Sequence, residues 1–112
     1  MENQTLNTQL DQRIITLWLD SLDPLHREAL EPCEIVLDTY KVRNSLGLLL
    51  QYRTIRIECA SIALRNALMI GYRYYAIKAN GFGFDLCFSV NGEWSVAYNG
   101  AAIGKQPPQD ES

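Results

Sequence analysis

A chain of 112 residues that is 47% hydrophobic and 21% charged suits one domain built on a single core. None of its apolar runs approaches the ~20 residues of a membrane-spanning helix, so no membrane partner is expected. The polar start Met1–Gln9 lacks the basic-then-apolar layout of a secretion leader, which makes a cytoplasmic location the default expectation.

The net charge of −3 conceals an asymmetry. Residues 1–40 hold Glu2, Asp11, Asp20, Asp23, Glu28, Glu31, Glu34 and Asp38 against two arginines. Residues 41–78 hold Lys41, Arg43, Arg53, Arg56, Arg65, Arg73 and Lys78 against Glu58 alone. Segments of opposite sign can pair within the fold, pair between subunits, or leave a basic face for an anionic partner. Cys33, Cys59 and Cys87 are far apart and form no Cys-x-x-Cys pair, so they read as buried thiols of a reducing compartment, with no metal or cofactor implied.

In chain order, Thr8–Leu22 reads as an amphipathic helix with Leu10, Ile14, Leu17, Trp18 and Leu22 at helical spacing. Asp23-Pro24 stops it, Asp23 caps a second helix, and Pro24 takes its first position over Pro24–Leu30. Residues 33–42 fit a strand as well as a helix; continuity with the following apolar run favours helix. Arg43-Asn44-Ser45 breaks the chain, and Leu46–Ile70 reads as a long helix whose stripe is Leu48, Tyr52, Ile55, Cys59, Ile62 and Ala63. Thr54–Glu58 also alternates as a strand would. Gly71 closes the helix.

The dipeptide Asn-Gly then recurs at 80–81, 91–92 and 99–100 between aromatic and β-branched runs. Asn-Gly favours the type I′ turn, which needs positive φ at both central residues. The expected meander is Tyr72–Ala79, Phe82–Val90, Glu93–Tyr98 and Ala101–Lys105, followed by a polar, disordered tail from Lys105. Two-residue turns would pair Phe88 with Ser95 and Leu86 with Ala97. Tyr75, Ile77, Phe82, Phe84, Leu86, Phe88 and Val90 then face the core. Tyr72, Tyr74, Trp94, Val96 and Tyr98 fall on the other face, an aromatic surface of the kind enriched in interfaces.

Several motifs do not hold. Asn80–Phe88 resembles an RNA-recognition aromatic signature, but Asn80 and Asp85 stand where a basic and an aliphatic residue belong, so its phenylalanines are assigned to packing. His26 has no nucleophile arranged with it, and no carboxylate pair shows a sign of acid–base use. The fold expected is α+β, with N-terminal helices on one face of a C-terminal three- to four-stranded antiparallel meander, in a single domain spanning residues 1–104. The function expected is a non-enzymatic protein-binding or regulatory module, a homodimer, acting through Tyr72, Tyr74, Trp94, Val96 and Tyr98. The alternatives are nucleic-acid binding through candidate anion-binding residues Arg53, Arg56, Arg65, Arg73 and Lys78 on the long helix, and a small-molecule binder or small enzyme with a pocket between helix and sheet.

Overall fold

The computed structural model describes residues 2–99 and 102–105, with side chains from Gln9 to Trp94 except Val42. The order of elements is α1 (Glu2–Ser21), α2 (Pro24–Ala29), β1 (Glu34–Arg43), β2 (Leu49–Cys59), α3 (Ile62–Met69), α4 (Tyr72–Gly81), β3 (Asp85–Val90), β4 (Glu93–Asn99) and β5 (Ala102–Lys105). The fold is α+β. Its sheet is mixed: the five strands lie in sequence order, antiparallel except where β3 runs parallel to β2. The turn expected at Asn99-Gly100 and the tail after Lys105 fall on or next to residues outside the described ones.

The N-terminal helices form for the reasons their sequence suggests. Asp23 accepts from the His26 N–H at 2.8 Å, and Pro24 opens α2 where its missing N–H costs nothing. Among the described side chains of α1 the buried ones are Ile15 and Trp18, joined by Leu22 just past its end, whereas Leu10 and Leu17 of the expected stripe are exposed. The buried face is therefore turned from the expected one.

Three elements differ from the sequence expectation. Residues 34–43 and 49–59 are the two arms of a hairpin, not helix, in register from Glu34 opposite Glu58 to Arg43 opposite Leu49. Asn44 makes the turn: its side chain accepts from the N–H groups of Leu46 (2.9 Å) and Leu48 (3.0 Å), and Gly47 takes φ +82°. The strand alternation at Thr54–Glu58 prevails because it satisfies burial: Ile55, Ile57 and Cys59 enter the core. Tyr72–Ala79, expected as a strand, lies within α4, with Tyr75 and Ala79 buried one turn apart. Asn80-Gly81 is not a hairpin turn. Gly83, at φ +85°, ends the helix, with Gly83 N–H on the Asn80 carbonyl and Phe84 N–H on that of Ala79, the paired bonds of a Schellman cap.

The Asn91-Gly92 turn forms as expected, with φ of 56° and 79°, and Val90 pairs with Glu93. A register shift between Phe88 and Ser89 then pairs Phe88 with Val96 and Leu86 with Tyr98, one residue off the expected pairing. The core cluster joins Ile55, Ile57, Cys59, Leu86 and Phe88 of the sheet to Trp18, Leu22, Leu30, Leu68, Tyr75 and Ala79 of the helical segments and the turns that follow them. No helix among the described residues is long and apolar enough to cross a membrane.

Candidate interaction surface

Strand residues of the opposite parity form a second row. Tyr40 and Tyr52 are cross-strand partners, as are Asp38 and Thr54; Thr54, Arg56 and Glu58 sit beside Asp85, Cys87 and Ser89; Ser89 pairs with Trp94. The Tyr40 and Tyr52 rings stack at 5.3 Å, and Trp94 meets Tyr40 edge-on at 5.5 Å. Tyr40 donates to Asp85 at 2.8 Å. Burial pushes the Tyr40 hydroxyl up, helped by this bond, and pushes the Asp85 carboxyl up while the same bond opposes it.

Beside the aromatic cluster lies an ionic one. The Arg56 guanidinium bonds Asp38 at 3.1 Å, Glu58 at 2.9 Å and Ser89 at 3.0 Å. Ser89 donates to Glu58 at 2.6 Å, and the Gly92 N–H reaches the same carboxylate at 3.0 Å. The Ser89 hydroxyl, then the Gly92 N–H and the Arg56 charge, hold the Glu58 carboxyl below its ordinary value against burial. Glu58 thus anchors the β3–β4 turn to β2, which fixes the start of β4 and with it Trp94.

The hairpin continues past the body of the sheet. β2 pairs with β3 only over Thr54–Cys59, so Leu49–Arg53 pair with β1 alone. This projecting part exposes Leu46 (81%), Leu48 (58%), Leu49 (42%) and Leu50 (37%), and Tyr52 links it to the aromatic cluster. Single exposed leucines are ordinary; four within five residues, at the end of a strand pair, are not. Lys41, Arg43 and Arg53 flank them, with no acid from Thr39 to Ile57.

The expected site residues are not brought together. Tyr72 and Tyr74 lie on α4, away from the sheet row. Tyr74 stacks on His26 at 4.0 Å and its hydroxyl accepts from the Asp23 N–H at 2.7 Å, so it holds α2 to α4. The Tyr72 hydroxyl accepts from Arg73 Nε at 3.1 Å. Trp94 does lie in the sheet row, while Val96 and Tyr98 pair with the core positions Phe88 and Leu86, their side chains lying outside the described residues. The five basic residues do not share a helix stripe: Arg53 and Arg56 are on β2, Arg65 on α3, Arg73 and Lys78 on α4. Arg53 lies over the Phe84 ring at 4.5 Å, Arg65 bonds the Asn66 side chain at 2.8 Å, and the Lys78 ammonium sits 5.5 Å from the Tyr74 ring centre. Sequence reasoning missed Tyr40, Tyr52 and the leucine tip, because favouring helix over 33–42 and reading 46–70 as helix removed the hairpin that assembles them. The signals that would have found them are the alternation at Thr54–Glu58 and the turn residues Asn44 and Gly47. No protein-family model, curated protein or solved structure matches the chain.

Proposed function

We propose that this chain is a non-enzymatic protein-binding module that self-associates as a homodimer. Its contact surface is the projecting β1–β2 hairpin together with Tyr40, Tyr52 and Trp94. In this reading the helices cover one face of the sheet; on the other, Thr54, Cys87 and Ser89 are already buried within the chain, so contact is confined to Tyr40, Tyr52, Trp94 and the hairpin tip. The observation that carries it is the cluster of exposed leucines at 46, 48, 49 and 50 on an arm that the sheet does not cover. Charge supports a second copy as the partner. Among the described residues, Asp38–Arg56 is the ion pair that joins the acidic first forty residues to the basic segment after them. The basic hairpin of one copy complements the acidic α1–α2 region of the other, where Leu17 and Leu25 are exposed beside Asp20 and Glu28. A cytoplasmic location belongs to this reading, and the free cysteines support it.

The exposed fractions of the four leucines amount to roughly two whole side chains, or about 3–6 kcal/mol per copy on burial. Two copies gain about 6–12 kcal/mol against an association cost of about 4–15 kcal/mol. Association through the hairpin is therefore weak, with a Kd on the order of micromolar or above. The test is sedimentation by analytical ultracentrifugation over a concentration series, comparing the native chain with Leu46→Asp/Leu48→Asp. Because both positions are exposed, the double variant keeps its melting temperature. The native chain shifts from monomer to dimer with concentration and the variant remains monomeric. A native chain that stays monomeric at high concentration, or a variant that associates equally well, overturns the reading. Binding of nucleic acid by the native chain at low salt, lost on raising it, would favour the anion-binding alternative.

A further inference from the structure

The β1–β2 ladder ends with Glu34 opposite Glu58, and its register continued by one residue sets Cys33 opposite Cys59. Both side chains lie on the core side of the hairpin, Cys33 packing against the cluster that holds Cys59, and the Cys59 thiol donates to the Ile57 carbonyl at 3.7 Å. The Cys33 N–H is used on the Leu30 carbonyl at 2.9 Å, so this rung is not a mutually hydrogen-bonded one. Narrow rungs of an antiparallel ladder have Cα atoms ~4.5 Å apart, inside the ~4.4–6.8 Å that disulfides span. We propose that Cys33 and Cys59 form a redox-active dithiol site that takes oxidising equivalents from low-molecular-weight disulfides of the glutathione type.

The two thiols are unequal in a way that orders the chemistry. Cys33 is half-buried and reachable, whereas Cys59 is 1% exposed within the core. The neighbouring Cys59 thiol favours the Cys33 thiolate and lowers its pKa against burial, while the Cys33 sulfur and then burial push Cys59 up. Cys33 therefore attacks first. Its sulfur forms a bond to one sulfur of the external disulfide, and the other sulfur leaves as a thiolate. Once Cys33 is in that mixed disulfide it carries no negative charge to hold the Cys59 proton. Cys59 then gives its proton to a departing thiolate, attacks the Cys33 sulfur and expels the second external thiol. One external disulfide is reduced to two thiols while two protein thiols become one disulfide. Cys87 lies in the other sheet row, fully buried with its thiol pushed up, and serves as an internal control. The bond closes the base of the hairpin by tying the α2–β1 connection to the end of β2.

The full chain is equilibrated with oxidised and reduced glutathione under native conditions, and its thiols are counted and mapped by mass spectrometry. Oxidation is expected to take three free thiols to one, with a mass loss of about 2 Da and a Cys33–Cys59 peptide on digestion. The oxidised chain melts at a higher temperature because the cross-link restricts the unfolded state. Cys59→Ser traps a single glutathionyl group on Cys33, and Cys33→Ser stays unmodified. Should Cys59→Ser fail to fold, the peptide map of the native chain decides alone. A disulfide that includes Cys87, three thiols surviving in oxidising buffer, or a Cys33→Ser chain that reacts as fast as the native one overturns the proposal.

Discussion

Replacing Arg56 by leucine separates a structural role for this residue from an anion-binding one. Its guanidinium is 17% exposed and bridges Asp38, Glu58 and Ser89, whose partner carboxylates are 37% and 21% exposed. Breaking a fully buried pair from one side costs about 3–5 kcal/mol, because the remaining charge has no partner; an exposed pair is worth about 0–1 kcal/mol. Asp38 and Glu58 lie between these limits. Two carboxylates on one sheet row would be left without a cation, and Glu58 would keep only its bonds to Ser89 and Gly92. The expected loss is about 2–3 kcal/mol. At an unfolding entropy of about 2 cal/mol/K per residue, this lowers the melting temperature of the 112-residue chain by about 10 °C. Arg56→Lys keeps the charge but not the fork, and should lose about half as much. Urea unfolding of both variants, read with Glu58→Gln as a double-mutant cycle, gives the coupling energy. A loss below about 1 kcal/mol in Arg56→Leu would refute the reasoning, leaving the guanidinium free for an external anion.

Two further outcomes concern pH and the β3–β4 turn. Glu58 has a lowered carboxyl in the folded state, so its stabilisation is complete above the unfolded value near 4.5 and is lost as pH falls through the folded one; Glu58→Gln should flatten the acid limb of stability against pH. Asp85 has the opposite sign. Burial raises its carboxyl, so stability is lost as pH rises from 3.8 towards the raised value; Asp85→Asn, which can still accept from Tyr40, should gain stability at pH 7 and no advantage below about pH 4 in thermal melts. Asn91 sits at φ +56°, so Asn91→Ala should cost about 1 kcal/mol of backbone strain by chemical denaturation, whereas Asn80→Ala, in a helix, carries no such strain and loses only the side-chain bond to the Phe84 carbonyl at 2.8 Å.

Local chemistry was legible where one residue's preference decides the backbone. Asp23-Pro24 and Asn91-Gly92 act through their own side chains and φ angles, and both form as read. Asn80-Gly81 shows the limit. The dipeptide is compatible with a I′ turn, but α4 carries through it because Gly83, two residues on, supplies the left-handed position. Leu48, Tyr52, Ile55 and Cys59 have helical spacing by coincidence, and the period of two at Thr54–Glu58 wins once β3 pairs alongside. That parallel pairing joins residues 31 positions apart and leaves no local sign. The aromatic face depended on register, and one extra residue in β4 after Trp94 moved Val96 and Tyr98 to the rows of Phe88 and Leu86. Trp94 remained in the contact row because it precedes the shift. Tyr40 and Tyr52 became visible only when both arms were strands in register.

The projecting hairpin also restricts how copies can meet. From Leu49 to Arg53 the β2 edge away from β1 has no strand beside it among the described residues, and an open apolar edge invites continued strand addition. Lys41, Arg43 and Arg53 oppose direct pairing of two such tips, since like charges would be brought together. Under the proposed self-association, the tip therefore seats on a region of opposite charge and not on its own copy. Tip-on-helix contact in one direction only would leave a free tip and a free acidic face at every step, and would grow without limit. If instead each hairpin reaches the other copy's α1–α2 region, a two-fold axis relates the two contacts and both tips are covered at once. A dimer of fixed mass, weakened by salt and by Leu48→Asp alike, is the signature of the reciprocal arrangement. Mass that increases steadily with concentration is the signature of the one-directional chain.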